Sequence, residues 1–520
     1  MNIESQKLFK QRLQRVHVVS GISFSLFMYV AVFFGIFAIL LPYIQLWEKP
    51  SRHIQYMDIT KIDYASMVEP IISDPNFPKN NIEIILPGYQ HDPVLKVSHE
   101  FVEATLFDPN TKEKTNNEGD QSQLADFLNG MHYGAPLKTV GYLVFGFVAV
   151  GGLFLIIGGI LLVIMIKYSN SAKKPVSRFL KLHRKIFIWV FPPFIIITLT
   201  GALMNIGYSG SVPMTYLVSK GKTHNIWDFT SPILFPAVET VEKKNYSRKM
   251  LPIGTLIEKA KKVNPEIDFQ KITLINWNDA SARLKIEGYN PNMPFLNGIS
   301  NKPSVTLNAV NADLIREHKV MDKHWSGLFF DSVYFLHFLF GVDTFTRLLI
   351  ATIMSVSAFG LGFGVLLWIE KQAKKLPQHI PFYHWMAKLS LSVMIGVLPA
   401  TGLLFAMQWT LPFDLKDRFI WQEGIFFVSW LATFTWSLYR INSYQVAKEF
   451  LKIAGILFVL SPFFHYLNSD FSALSLWEKG LVEIVSVDIA LLIFGLVLLL
   501  VGYKLPQENK KINEFWSKDQ

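Results

Sequence analysis

The chain of 520 residues contains no cysteine. This absence excludes disulfide bonds, thiolate-bound iron–sulfur clusters and covalent haem attachment through a C-x-x-C-H motif. A nucleotide-binding fingerprint is also lacking, because the G-L-G-F-G run near Gly362 lies inside an apolar segment and follows no strand. Any haem must therefore be bound non-covalently, and no flavin or nicotinamide domain is predicted.

Charged residues are also scarce, at 17% of the chain, whereas 51% of the residues are hydrophobic. Several nearly uncharged stretches of about 18 residues or more can cross roughly 30 Å of hydrocarbon. The fold class predicted is an all-α polytopic membrane protein with about eight transmembrane helices. We place the spans at residues 16–41, 139–166, 182–206, 346–369, 382–409, 424–439, 453–467 and 481–503.

The basic residues indicate the orientation of the chain in the membrane. Lysine and arginine are concentrated before the first span and between residues 167 and 185, and positively charged loops resist translocation. Both termini are therefore predicted to be cytoplasmic. The net charge of +10 follows largely from this asymmetry and requires no nucleic-acid partner. The first span is too long for a cleaved signal peptide and is expected to remain as an anchor.

Two long segments interrupt the membrane pattern on the outer side, residues 42–138 and 207–345. The second contains an amphipathic helix ending at Asn264, followed by alternating segments typical of strands, at residues 271–277, 282–289 and 304–313. The first offers weaker strand signals at residues 81–88, 94–99 and 103–112. We predict two periplasmic α+β insertions, which divide the chain into residues 1–41, 42–138, 139–206, 207–345, 346–369 and 370–520.

Four histidines occupy matching places in two copies of a membrane unit. His17 and His183 each begin an apolar run, and His132 and His337 each precede one. The separation from His17 to Gly35 is 18 residues, as is that from His183 to Gly201. Eighteen residues are five helical turns, about 27 Å. Because both units enter the membrane from the cytoplasmic side, they are predicted to be parallel repeats. The pattern therefore predicts an inner pair, His17 with His183, and an outer pair, His132 with His337.

Paired imidazoles at two depths are the ligands that two stacked haems require. Gly35 and Gly201 would leave room for a flat macrocycle near the outer surface. A single histidine at a membrane edge is more often an interfacial residue, but four in register favour iron ligation. The cofactor prediction is two haem b groups, with the haem iron bound by these histidines. Arg15 and Arg184 at the inner site, and Lys138 and Arg347 at the outer site, either pair with haem propionates or set the topology.

Other polar residues have competing interpretations. His324 or His465 could replace an outer ligand, and His384 could serve a third cofactor. Asp488 lies inside the last span and should face protein or water, either as a proton acceptor for a quinol or as a structural hydrogen-bond partner. The remaining histidines are expected to be solvated loop residues: His53, His91, His99, His224 and His318.

These residues resemble the family of PepSY-associated transmembrane-helix proteins, which includes bacterial inner-membrane siderophore reductases. The resemblance covers about residues 10–370 and depends on four histidine-bearing segments, R-L-Q-R-V-H-V-V-S-G, F-L-N-G-M-H-Y-G, F-L-K-L-H-R-K-I-F and Y-F-L-H-F-L-F-G. Residues 251–317 resemble its PepSY domain, residues 42–138 only faintly so, and the last four spans lie beyond its four-helix core. The resemblance implies b-type haem and the reduction of ferric chelates in the periplasm.

The function expected is therefore transmembrane electron transfer by a haem-dependent ferric-siderophore reductase, with reduced flavin or quinol as the donor and the chelate held between the two outer domains. Two other classes stay open. A permease built from parallel repeats predicts polar residues or broken helices at mid-membrane, and Asp488 is its best support. A non-catalytic anchor for PepSY domains would leave the register of the histidines unexplained.

Overall fold

The computed structural model describes residues 3–115, 121–166, 175–235, 240–296, 299–339, 341–375, 381–440, 443–469 and 471–505. Most of these residues are helical. The helices are α1 (Ile3–Ile39), α2 (Leu41–Trp47), α3 (Tyr64–Met67), α4 (Glu69–Ser73), α5 (Leu124–Tyr133), α6 (Lys138–Met165), α7 (Pro175–Val218), α8 (Trp227–Leu234), α9 (Ile253–Val263), α10 (Trp325–Phe338), α11 (Thr344–Lys375), α12 (Pro381–Leu391), α13 (Val397–Thr410), α14 (Arg418–Tyr439), α15 (Ser443–Asn468), α16 (Ala473–Glu478) and α17 (Val482–Lys504).

Four long helices form the first bundle. Helix α1 packs against α6 and α11, and α7 packs against the same two helices. Helices α1 and α7, which carry His17 and His183, therefore occupy opposite corners of the bundle. The two outer segments, residues 42–138 and 207–345, both leave this bundle at the same end, which we call the sheet end. His17 and His183 lie towards the opposite end.

The remaining long helices form a second bundle. A short π-helical segment, Ser392–Gly396, joins α12 to α13, and α15 packs against both α13 and α17. Among the described residues, seven helices are long and apolar enough to cross a membrane, so seven of the predicted spans are confirmed. The predicted span at 424–439 lies in α14, which is less apolar. Gln422 near the start of α14 donates to Gln408 at 3.0 Å, and Lys388 donates to the Arg440 carbonyl beyond its other end. Helix α14 therefore lies antiparallel to α12 and α13 and extends along both of them.

The strands of both outer segments form one antiparallel sheet. It contains β1 (Ile82–Ile85), β2 (Leu95–His99), β3 (Val102–Phe107), β4 (Asp268–Ile275), β5 (Arg283–Tyr289), β6 (Ser304–Asn308) and β7 (Leu314–His318). The order is β3-β2-β1-β4-β5-β6-β7, and β1 pairs with β4 from Ile82 opposite Leu274 to Ile85 opposite Lys271. The expected strands are all present, but they build one structural unit instead of two outer domains.

One face of the sheet is apolar and the other polar. Ile84, Ile272 and Ile286 are fully buried, and the core they enter includes residues of α3, α4 and α9. Strand residues between them, such as Lys271 and Lys285, point to the opposite face, as strand geometry requires. Since α3 and α4 precede β1 as α9 precedes β4, the duplication seen in the membrane helices extends into the sheet.

Two short helices present the histidines at the sheet end. His132 lies two residues before the left-handed Gly134 that ends α5, with φ 81°. His337 lies two residues before Leu339, which ends α10 with φ 57°. A left-handed residue after the last turn is a common helix stop, and glycine adopts it without a steric cost. In each repeat, this left-handed residue separates the short helix that carries the histidine from the membrane helix that follows.

Candidate functional site

The structure brings the four histidines together in the predicted pairs. The ring centroids of His17 and His183 are 6.5 Å apart, with an interplanar angle of 65°. Those of His132 and His337 are 6.0 Å apart, with an angle of 30°. All four side chains are half-buried.

These separations fit two imidazoles that ligate one metal from opposite sides. A bond of about 2 Å from each nitrogen to the metal, plus about 1.2 Å from that nitrogen to its ring centre, gives centroids about 6.3 Å apart. The observed values lie on either side of this distance. The residues present therefore fit bis-histidine ligation of haem iron at two depths.

Main-chain carbonyls orient the rings. His132 Nδ1 donates to the Ala31 carbonyl at 2.7 Å, and His183 Nδ1 donates to the Gly360 carbonyl at 2.9 Å. The Ile197 carbonyl interacts with His337, whose Nδ1 also lies 3.1 Å from the Thr200 hydroxyl. A hydrogen bond at Nδ1 fixes the tautomer and leaves the Nε2 lone pair free for a metal.

The equivalent carbonyl for His17 is that of Leu155, although His17 Nδ1 does not reach hydrogen-bond geometry. Each of these four carbonyls lies one helical turn before a glycine that contacts the same histidine. The glycines are Gly35 for His132, Gly201 for His337, Gly159 for His17 and Gly364 for His183. Gly159 lies 27 residues after His132 and Gly364 lies 27 residues after His337, so this repeated spacing marks both glycines in the sequence. The carbonyls carry no signal in side-chain identity.

The glycines make room for the imidazoles themselves. A Cβ atom at Gly35 would lie 3.0 Å from the His132 ring, and one at Gly201 would lie 3.0 Å from the His337 ring. Gly35 of α1 and Gly201 of α7 thus clear space for the histidines of α5 and α10, and contact of these glycines with a macrocycle stays a prediction. Because α1 and α7 also carry His17 and His183, these two helices contribute to both depths.

The basic residues near the pairs differ in their contacts. Arg347 is 2% exposed, and its guanidinium donates to the carbonyls of Ile39 and Leu339, at the ends of α1 and α10. It holds two helix ends together, and these contacts do not support its pairing with a propionate. Arg15 is exposed and Arg184 is half-buried, so their propionate contacts stay a prediction.

The other histidines lie apart from the two pairs. His324 caps the start of α10 and is exposed, and His465 lies against Asp488, so neither replaces an outer ligand in the structure. The expectation of solvated loop residues is wrong for His53 and His318, which are 0% and 7% exposed. A loop residue can be enclosed by helices distant in sequence, and no local pattern reports this.

A buried polar network joins the two bundles at the sheet end. The Glu48 side chain accepts a hydrogen bond from the Ala125 amide at 3.0 Å, and Gln408 donates to the Glu48 carbonyl at 2.7 Å. Glu48 is fully buried, and this burial raises the pKa of its carboxyl group to about 8. The carboxyl group is therefore mostly protonated at neutral pH, which avoids an uncompensated buried charge.

Comparison with known proteins gives a family match that covers most of the chain. The family model described as the PepSY-associated TM region matches residues 14–371. That range contains all four paired histidines and both outer segments. A search of curated proteins found no match.

Proposed function

The chain belongs to the family of the PepSY-associated TM region, and we propose that it is a b-type haem protein that carries electrons across the bacterial inner membrane to a ferric chelate, such as a ferric siderophore, in the periplasm. The observation that carries the proposal is the separation of the two histidine pairs, 6.5 and 6.0 Å between ring centroids. Both values suit an iron held between two imidazoles.

The residues of the chain would hold and orient the cofactors. His17 with His183, and His132 with His337, would hold the two haem irons, while the carbonyls of Ala31 and Gly360 orient two of the rings. Bound haem would supply one-electron redox chemistry, and ligation by two histidines leaves no open iron position for oxygen. Along α1 the two depths are 18 residues apart, about 27 Å, so the pairs lie towards opposite faces of the membrane.

A cleft near the inner pair favours quinol over flavin as the donor. It has a volume of about 270 Å³ and is lined mainly by apolar side chains, including Ile22, Leu26, Trp368 and Met386. Ile22 is five residues after His17, and Trp368 is four residues after Gly364, which contacts His183. A quinol oxidised there gives two electrons and two protons, and therefore reduces two ferric ions, each by one electron.

The sheet suggests where the chelate binds. Because both outer segments share one sheet, a chelate cannot lie between two outer domains. The polar face carries the basic residues Lys96, Lys271, Arg283 and Lys285, together with Glu83 and Glu287, which pair with Lys271 and Lys285. Basic side chains on this face would attract anionic, oxygen-rich chelates. Reduction releases the iron, because such chelators bind Fe(III) more strongly than Fe(II).

Absorbance of the purified, dithionite-reduced protein tests the proposal. We expect a b-type spectrum that falls by about half in His183→Ala, since one of the two ligand pairs is lost. His99→Ala, which changes a histidine on the sheet, is the matched control and should retain the full spectrum. An unchanged spectrum in His183→Ala would reject the pairing, and a colourless wild-type protein would reject the function.

The permease hypothesis receives less support from the first bundle. It predicts broken helices at mid-membrane in the repeats, whereas α1, α6, α7 and α11 are continuous over their described lengths. Uptake of a solute into vesicles by colourless protein would decide for a permease.

A further inference from the structure

A second cluster of histidines lies at the sheet end of the second bundle. It joins Trp47 at the end of α2, His53, Trp409 of α13, His465 of α15 and Asp488 of α17. These five side chains are between 0% and 2% exposed. The membrane electron path described above uses none of them.

Several polar atoms in this cluster have no hydrogen-bond partner among the described residues. They are both ring nitrogens of His53, which the Trp47 carbonyl approaches without reaching hydrogen-bond geometry, Nε2 of His465 and Nε1 of Trp409. Leaving one buried polar atom unsatisfied costs about 1–3 kcal/mol. The Trp409 N–H needs an acceptor such as water, whereas a neutral imidazole can offer a nitrogen lone pair to a cation.

Asp488 fixes the orientation of His465. Nδ1 of His465 lies 3.0 Å from Asp488 Oδ2, and the Trp47 indole donates to Asp488 Oδ1 at 2.7 Å. A carboxylate that accepts from Nδ1 sets the tautomer in which Nε2 is the free lone pair. This is the usual arrangement around a histidine that ligates a metal.

The distance between the two imidazoles differs from that of the haem-type pairs. The ring centroids of His53 and His465 are 5.1 Å apart, with an interplanar angle of 71°. With the same bond lengths as above, this separation corresponds to an angle of about 110° between the two ligand bonds at a shared metal. Such an angle is typical of tetrahedral coordination and leaves no room for a flat macrocycle between the rings.

We propose that His53 and His465 bind a divalent first-row transition-metal ion, with Asp488 as the positioning residue. Neutral imidazole suits Fe(II), Zn(II) and their neighbours. Among the described residues, no set of three or more His, Asp or Glu side chains has the geometry of a metal site, so the remaining coordination positions would have to be filled by water. A site with only two protein ligands exchanges its ion readily, as a transit site must.

The physiological ion is Fe(II), and this part of the inference rests on the proposed function. Reduction of a ferric chelate would release Fe(II) on the side of the membrane where the sheet lies. His465 and Trp409 lie at that same end of the helices, because α13 and α15 both end there. The second bundle would then receive the ion that the first bundle generates.

Metal content measured by mass spectrometry tests the site. The full chain, purified with an affinity tag that contains no histidine, is dialysed against Zn(II), and bound zinc is counted separately from haem iron. We expect one more zinc per chain in the wild type than in His53→Ala or His465→Ala. His99→Ala is the matched control, and elution volume together with the thermal unfolding midpoint shows whether each variant is folded.

Asp488→Asn keeps the shape of the side chain and should weaken zinc affinity by about 10- to 100-fold, as the loss of such a carboxylate does elsewhere. Equal zinc content in the wild type and in both folded alanine variants would overturn the site, since buried water alone would then satisfy the nitrogens. Anaerobic competition of Fe(II) against bound zinc tests the identity of the ion. Zinc bound by a haem-free protein would retain the site while rejecting the proposed reduction.

Discussion

The two helix bundles use glycine for different purposes. In the first bundle, Gly35 and Gly201 face histidine rings, whereas in the second, Gly455 of α15 faces Gly495 of α17. A Cβ atom at Gly455 would lie 2.9 Å from the Gly495 carbonyl oxygen. Small residues at such a crossing let two helix backbones approach closely. The first bundle therefore leaves room for histidine rings against its long helices, whereas in the second bundle α15 and α17 pack directly backbone against backbone.

Burial along the helices shows the same difference. Buried residues make up 22–39% of the most apolar stretch in each of α1, α6, α7 and α11, compared with 44–72% in the spans of the second bundle. The difference is largest between the span that includes α13, at 72%, and α6 and α7, at 28% and 22%. Helix α13 therefore lies inside the protein, whereas α6 and α7 lie at its periphery.

The largest effect that separates the bundles is expected for Gly201→Leu. The added side chain would displace the His337 ring, and the protein should lose about half of its haem absorbance, because one ligand pair is broken. The measurement is the absorbance of the reduced protein per chain. Gly424→Leu is the control, since no atom lies within 4 Å of a Cβ placed there. Full absorbance in Gly201→Leu would mean that His337 does not ligate a haem.

A smaller effect, of a different kind, is expected for Gly455→Leu. Overpacking at a tight helix crossing costs about 1–3 kcal/mol, so the thermal unfolding midpoint in detergent should fall. The ratio of haem to protein in the folded fraction should be the same as in the wild type. A loss of haem without a loss of stability would show that the bundles are not distinct in the way described.

The smallest effect concerns the junction of the bundles and depends on pH. Burial, opposed in part by Lys49 and the Ala125 amide, raises the pKa of Glu48 to about 8 from its ordinary 4.5, and Asp126 adds to the rise. The unfolded chain loses this proton at lower pH than the folded protein does, so the contribution of Glu48 to stability is complete below pH 4.5 and is lost as pH rises through 8.

Glu48→Gln has no carboxyl group to ionise and should therefore flatten this dependence. The check is the thermal unfolding midpoint of both proteins across this pH range. An equal fall of the midpoint in the wild type and in Glu48→Gln would show that the pH dependence arises from other groups.

The sequence predicted the membrane architecture and the histidine pairs because both depend on spacing along a helix. The separation of His17 from Gly35, repeated from His183 to Gly201, converts directly into depth. Spacing along a helix does not reveal which side chain from another element fills a gap. For that reason the contact of Gly35 with His132, and the burial of His53 among distant helices, were not predictable.

The sheet shows the same limit. Its strands follow from local alternation, which is why β1 to β6 lie where the pattern indicates them, whereas β7 was not predicted. The joining of the two outer segments depends on the pairing of Ile82 with Leu274, far apart in the chain. A periodic pattern identifies a strand but does not name its neighbour.

The pairing of β1 with β4 also sets an order of events during synthesis. Strand β1 leaves the ribosome long before β4, and two further membrane helices, α6 and α7, must be inserted between them. Until β4 arrives, one edge of β1 has no partner and is open to pairing with other chains. Helices α6 and α7 must therefore be inserted before the sheet can be completed. The sheet can form only if both repeats are inserted in the same orientation.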